Sequence, residues 1–256
     1  MNLSIITVNY NDKNGLIQTL KSVERLVASN KNAIELLVVD GGSTDGSKDV
    51  IIDYYQSGII NKYISEPDKG IYDAMNKGLN LAGGRYSLFL NSGDFLKDYQ
   101  SGIRIFDITV SENKPVVIFW KVIVIKDNAN YKFYPNINDS DFCTWSKYPL
   151  NLPNHQAMLF PKEFYKNNFY DESFRINGDA DYKVRAIELY GSKFFNEKLT
   201  CFTLGGVSSR SLDYKHYKLR VYELLKLARK HPRHFNNVNF LLVEIAKLTV
   251  KFFLKV

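Results

Sequence analysis

A chain of 256 residues, 45% hydrophobic and 24% charged, can bury a sizeable core and is far from the composition of a disordered protein. The formal charge of +7 is unevenly placed: residues 210–256 carry eleven Lys or Arg against three Asp or Glu, which leaves residues 1–209 near −1. That division excludes a uniformly basic nucleic-acid-binding domain, and no zinc, helix-turn-helix or RNA-recognition signature accompanies it.

Leu3 to Val8 is an apolar, β-branched run that ends at Asn9-Tyr10-Asn11-Asp12. Lys13 to Ala28 follows with apolar residues at helical spacing, Leu16, Leu20, Val23 and Val27. A second unit begins at Ile34 to Val39, stops at Asp40-Gly41-Gly42-Ser43-Thr44-Asp45-Gly46, and continues as a predicted helix from Ser47 to Tyr55 with Asp45 or Ser47 as cap. Tyr63 to Ser65 and Tyr86 to Leu90 supply two more strands around a helix from Ile71 to Ala82, and the second of these strands stops at Asn91-Ser92-Gly93-Asp94. Alternation of strand and helix over some 90 residues predicts a mostly parallel sheet covered by helices, whose strand ends gather at one edge.

Beyond Asp94 the rhythm changes. Gly102 to Val110 reads as a helix and Pro115 to Lys126 as a long strand, while Asn128 to Trp145 reads as loops and edge strands. Asn154 to Phe160 resembles a further strand, followed by helices at Lys162–Asn167 and Asp179–Tyr190 and a strand at Phe194–Leu199. Two helices, Tyr214–Lys230 and Phe235–Val256, flank a break at His231-Pro232-Arg233. We expect a catalytic unit over 1–209, with a nucleotide-binding half (1–94) and an acceptor-side half (95–209), and a basic amphipathic helical tail over 210–256.

Three strands thus end in clusters of acids and amides, at Asn9–Asp12, Asp40–Asp45 and Asn91–Asp94. Such residues make good turns and caps, but three clusters at the same edge of one sheet define a polar cleft. The Gly-rich segment after Asp40 has neither the spacing of a dinucleotide fingerprint nor that of a phosphate-binding P-loop. Asp40 at a strand end is suited to accept from a base N–H, and Asp94 to hold a hard divalent cation that neutralises a leaving diphosphate.

The segments Ile5-Ile6-Thr7-Val8-Asn9-Tyr10-Asn11, Val38 to Ser47, Glu66-x-Asp68-x-Gly70 to Gly78, and Leu90-Asn91-Ser92-Gly93-Asp94, in that order, resemble family 2 glycosyltransferases of the GT-A fold, particularly bacterial enzymes of capsule, exopolysaccharide or lipopolysaccharide assembly. The resemblance implies that Thr7, Asn9 and Asp40 contact the nucleotide, that Asp68 lines the diphosphate region, and that Asp94 holds Mn²⁺ or Mg²⁺. Ser92 stands where the family often has the first acid of its Asp-x-Asp motif. In the second half, Gly178-Asp179-Ala180-Asp181-Tyr182 resembles the family's acidic base motif. Asp181 is the expected catalytic base and Asp179 the rival, the other acid capping the helix or binding acceptor hydroxyls; the purely structural alternative is capping by Asp179 with Asp181 exposed.

The implied activity is inverting transfer from a nucleotide-sugar, UDP favoured, to a hydroxyl of a glycan or lipid-linked acceptor. A catalytically inactive nucleotide-sugar-binding or scaffold protein and a sugar nucleotidyltransferase are the competing readings. His155 is either a satisfied core or hinge residue or, by the resemblance, a cleft or acceptor contact; Arg210 is expected at the cleft, and Trp120, Tyr131, Tyr134 and Trp145 are candidates to stack on sugar faces. The tail's apolar positions and lysines at 247, 251 and 255 fit a helix packed on the catalytic unit or on another subunit, or interfacial attachment to an anionic bilayer. Met1 to Ile6 lacks the features of a signal peptide and no run of 18 uncharged apolar residues proposes a span. We expect a cytoplasmic protein or one at the cytoplasmic face of the inner membrane, with Cys143 and Cys201 as free thiols.

Overall fold

The computed structural model describes residues 1–126, 130–134, 153–204, 213–235 and 238–254. Strand β1 (Leu3–Asn9) and strand β2 (Ile34–Asp40) are buried at every position, as continuous apolar runs in a sheet covered on both faces should be. Helix α1 (Lys13–Ser29) lies between them; its first turn is capped by Asp12, which accepts from the Gly15 amide at 3.1 Å, and Leu16, Leu20, Val23 and Val27 form its buried stripe. Helix α2 (Ser47–Gln56), strand β3 (Lys62–Ser65), helix α3 (Ile71–Leu81) and strand β4 (Tyr86–Phe89) complete the parallel part, β3-β2-β1-β4. Gly78 lets α3 lie close on β1, because a Cβ there would stand 2.5 Å from Ile6 Cγ2.

The second half extends the sheet with antiparallel partners. It comprises β5 (Phe95–Leu96), α4 (Tyr99–Ser111), β6 (Val117–Lys126), β7 (Asn130–Tyr134), β8 (Met158–Pro161), α5 (Lys162–Tyr165), α6 (Gly178–Tyr190) and β9 (Ser192–Thr203). The described strands form one sheet in the order β3-β2-β1-β4-β8-β6-β9-β5, with β7 added to β6. Strand β8 opposes β4 and β6, β5 opposes β9 and β7 opposes β6, whereas β6 and β9 run parallel. The sheet is therefore mixed, with its parallel strands leading to the cleft.

One core fills the face under α1, α2 and α4, and a second the face under α3 and α6. Helix α7 (Tyr214–Lys230) contributes Leu224 and Leu227 to the second core. Helix α8 (Val238–Leu254) rests on the same side through Leu241, Ile245 and Leu248. Both C-terminal helices thus pack on the second core.

Several local expectations change. His155–Ala157 is a 3₁₀ turn and only Met158 onward is strand, so the side chains of 155 and 156 are delivered by a turn instead of alternating across a sheet. In α6 the apolar Leu189 is exposed, and Tyr182 and Ala186 form part of the buried face. Trp120 is fully buried with its indole N–H donating to Thr200 Oγ1 at 3.0 Å, so it packs the core and does not stack on sugar. Tyr134 packs against the first core. Cys201 is a buried free thiol. Trp145, Arg210 and Cys143, and the side chain of Tyr131, lie outside the described residues.

Candidate active site

The ends of β1, β2 and β4 open into a cleft of about 1300 Å³, which also takes in the start of α6 and side chains from α7 and α8. This volume exceeds that of a typical single-ligand pocket, about 300–1,000 Å³. Its lining includes Tyr10, Asp12, Gly41 and Asp68, then Ser92, Asp94 and His155, and from the second half Arg175, Asp179 and Arg220.

The strand ends are locked by a buried polar network. Asn9 donates to Asp40 Oδ1 at 2.8 Å and its own Oδ1 accepts from Ser92 Oγ at 2.7 Å, so it ties β2 to the turn after β4. Asp40 also accepts from the Ser43 hydroxyl and amide and from Ser65 Oγ. Burial raises the Asp40 pKa, but these donors more than offset it and hold the carboxyl below its ordinary value. Asp40 is 0% exposed and both its oxygens are engaged, so it shapes the 41–46 loop from beneath. Neither Asn9 nor Thr7 reaches the cleft surface; Thr7 Oγ1 is buried without a partner. Asp68, expected in the diphosphate region, lines the cleft with Ser92, and Thr7, Asn9 and Asp40, expected to contact the nucleotide, lie behind its wall. The wall itself needs a glycine: a Cβ on Gly41 would stand 2.4 Å from Asp68 Oδ2 and 3.1 Å from the Tyr10 ring.

Asp94 sits in a tight turn made possible by Gly93 at φ 88°, with Thr19 of α1 donating to the Asp94 carbonyl at 2.6 Å and accepting from the Gly93 amide. It is 4% exposed, and burial pushes its carboxyl up to about 8, with the amide of Gln156, 2.8 Å away, offsetting part of the rise and Asp12 adding to it. Beside it, the side-chain oxygens of Asn91 and Gln156 are buried without partners. Among the described residues no three His, Cys, Asp or Glu side chains gather around a metal position. One carboxylate with two neighbouring carbonyl oxygens is a hard-oxygen donor set. It fits a divalent cation that completes its shell with substrate phosphates and water.

The two acids of the Gly178–Tyr182 segment part company. Asp179, in the first turn of α6, lines the cleft. Burial raises its pKa, but Lys183, 3.1 Å away, and His155 outweigh that and hold the carboxyl below its ordinary value. Asp181 points the other way. It is 0% exposed and bonds Arg185 at 2.9 Å, Lys230 at 2.8 Å and His231 at 2.8 Å, the last two from the end of α7 and the turn after it. The acid expected as base is therefore committed to joining α6 to the tail, and its rival faces the cavity. His155 packs edge-on to Phe89 and lies 3.1 Å from the Asn91 side chain; burial pushes its pKa down to about 4, so the ring is neutral. Its Nδ1 is buried without a partner.

Thr19, Gln156, Lys183 and Arg175 were not legible as site residues. Each is a single polar residue outside any motif, and what recruits it is contact with a distant part of the chain, as in Thr19 with Asp94 or Lys183 with Pro153.

A model of the family described as Glycosyl transferase family 2 matches residues 4–189. Over 95 residues the chain is 43% identical to an uncharacterised glycosyltransferase of Mycobacterium tuberculosis, a match spanning 36% of this chain and about a third (34%) of that relative's length. It is 25% identical over 212 residues to a PGL/p-HBAD biosynthesis glycosyltransferase of Mycobacterium bovis, covering 78% of this chain and 80% of the relative. Among solved structures, Staphylococcus aureus TarS in complex with UDP-GlcNAc superposes with a TM-score of 0.67 at 17% identity, over 93% of this chain and 73% of that one. The mannosyltransferase PcManGT of Pyrobaculum calidifontis, in complex with GDP-Man and Mn²⁺, gives 0.58 at 12% identity, over 98% and 69%. At these identities the structural likenesses establish a shared GT-A-like fold.

Proposed function

Because the chain belongs to glycosyl transferase family 2, we propose that it transfers a sugar from a nucleoside diphosphate donor, UDP favoured, to a hydroxyl of a glycan or lipid-linked acceptor in surface polysaccharide synthesis, with inversion at the anomeric carbon. The observation that carries this reading is the gathering of Asp68, Asp94, His155 and Asp179 on one strand-end cleft large enough for donor and acceptor together.

In this reading the nucleotide lies over Tyr10, Gly41 and Asp68, with the network beneath Asp40 holding the loop in shape. Asp179 is the general base, in place of Asp181: it takes the acceptor hydroxyl proton as that oxygen attacks the anomeric carbon, and the bond to the diphosphate breaks on the opposite side. Lys183 keeps Asp179 ionised before transfer, and a carboxylate of low basicity suffices because the hydroxyl becomes acidic only as the new bond forms. Neutral His155, beside Asp179, is placed to orient the acceptor hydroxyl. A divalent cation held by Asp94 and the oxygens of Asn91 and Gln156 would neutralise charge on the departing diphosphate.

We also assign α8 as the contact with the cytoplasmic face of a membrane. Leu242, Val243 and Val250 are exposed on it, within the segment that carries the chain's positive excess. No helix among the described residues is long and apolar enough to cross a membrane, so the attachment would be interfacial.

Thermal shift with UDP, GDP and dTDP, each with and without Mn²⁺, tests the donor assignment: a nucleotide at about 100 times its Kd stabilises by about 2.7 kcal/mol. Release of nucleoside diphosphate from the matching nucleotide-sugar supports transfer, and release of pyrophosphate would replace this reading with nucleotidyl transfer.

A further inference from the structure

Glu223 lies in the middle of α7, 42 residues beyond Asp181, and is 0% exposed. Its carboxylate faces a stretch of backbone: Oε1 accepts from the Arg175 amide at 2.5 Å, and Oε2 from those of Ile176 at 3.0 Å and Asn177 at 2.8 Å. Three consecutive N–H groups directed at one buried carboxylate form a charge-assisted clasp. Those residues lead into α6, and Arg175, Ile176, Asn177 and Asp179 all line the cleft.

The opposite side of the same loop is held by Tyr72 of α3. Its hydroxyl donates to the Ile176 carbonyl at 2.6 Å and accepts from the Asp179 amide at 3.3 Å. Gly178 is pressed on the Tyr72 ring so closely that a Cβ would stand 2.7 Å from it. Asn177, at the cap position of α6, makes no side-chain cap bond. The start of α6 therefore owes its position to the Tyr72 ring and the Glu223 carboxylate, one on each side.

We infer that Glu223 is a positioning residue for glycosyl transfer: from the tail helix it fixes residues 175–177 and so aims Asp179 and Arg175 into the cleft. This rests on the reading of Asp179 as the base. It makes α7 part of the catalytic apparatus, since a 1 Å displacement of a reacting group is enough to cost rate heavily. A Glu223→Gln substitution keeps the shape but removes the charge and turns one acceptor into a donor facing N–H groups.

The test uses the full chain and the member of a panel of UDP-glucose, UDP-GlcNAc and GDP-mannose that gives the fastest nucleotide release. For E223Q, kcat should fall by about tenfold or more while the Kd of the free nucleotide stays within about twofold. Hydrogen exchange at the amides of 176 and 177 should rise by about tenfold with Val184 in α6 unchanged. A simple loss of folded protein would lower the active fraction and leave exchange in the folded fraction as it was. Unchanged exchange at 176 and 177, or faster exchange with unchanged kcat, overturns the inference. Should E223Q not fold, E223D, which keeps the charge but shortens the reach by one methylene, is read in the same way. In the wild type itself these amides should exchange as slowly as Val184, and fast exchange there also overturns it. If D179N turns over like the wild type, the base assignment fails while the exchange data still decide the clasp; if D179N is inactive and E223Q has no effect, the clasp fails and the base assignment stands.

Discussion

Asp179→Asn and Asp181→Asn separate the two acids of α6 by what each change costs. An amide in place of the Asp179 carboxylate cannot accept the proton, and loss of a general base lowers the rate by about 10²–10⁴, or about 2.7–5.4 kcal/mol of barrier at about 1.36 kcal/mol per tenfold. Lys183, 5% exposed, keeps the Pro153 carbonyl at 3.2 Å and an amide oxygen at position 179, so the stability loss should stay near the cost of one weakened hydrogen bond, about 1–2 kcal/mol. D181N does the reverse. It leaves Arg185, Lys230 and His231 facing a neutral amide at a fully buried position, and breaking a buried ion pair costs about 3–5 kcal/mol. For a chain of this size that lowers Tm by about 2–4 °C per kcal/mol. Steady-state release of nucleoside diphosphate, with active protein counted by nucleotide titration, and thermal unfolding of the same samples give both quantities. The expected pattern is a well-folded D179N with kcat reduced by about 10² or more and a thermolabile D181N whose folded fraction keeps kcat within about tenfold. Full turnover in D179N, or its loss in a folded D181N, refutes the assignment.

Asp94 gives a pH dependence. Its folded pKa is raised from 3.8 to about 8, so its contribution to stability is complete below the unfolded value and is lost as pH climbs toward 8. A divalent cation must displace that proton; the Tm gain from Mn²⁺ with UDP should therefore grow between about pH 5 and pH 8, and in D94N it should vanish at every pH. Gly41→Ala would drive a Cβ into the Asp68 carboxylate 2.4 Å away; UDP affinity should fall by about tenfold, roughly 1.4 kcal/mol, with Tm little changed, and unaltered affinity would remove the nucleotide from that wall. For α8, co-flotation should occur with phosphatidylglycerol vesicles and not with phosphatidylcholine. It should weaken in a Leu242→Ser, Val250→Ser double variant, and flotation indifferent to both lipid charge and these residues would contradict the membrane assignment.

The parallel half of the fold was legible because its strands are buried on both faces: Leu3 to Val8, Ile34 to Val39 and Tyr86 to Leu90 are largely apolar runs with polar stops, and those stops are the cleft edge. The strand β5, two residues long, is too short to carry a period, and it exists through pairing with Thr200 and Cys201. That Asp94 and Asp68 would stand at the strand-end cleft was legible from their segments. The partition between Asp179 and Asp181 was not, since two acids in one helix turn look alike until Lys183 is set against one and Lys230 and His231 against the other. Asp40 illustrates a different limit: a strand-end carboxylate suits a ligand and a loop equally well, and its bonds to the Ser43 and Ser65 hydroxyls appear only once the chain is folded. Trp120, a candidate to stack on sugar by residue type alone, belongs to the core.

In the proposed reaction this cleft releases a nucleoside diphosphate as an acceptor oxygen displaces it, with Asp179 taking the proton. Proton and phosphorus NMR of the full chain with Mg²⁺ and the panel of α-linked nucleotide-sugars, water serving as acceptor, reads it in one experiment. The expected spectra show nucleoside diphosphate appearing together with the β-anomer of the free sugar in the first moments of reaction, and neither product with D179N. Pyrophosphate among the products, the α-anomer formed first, or undiminished turnover in D179N would contradict it.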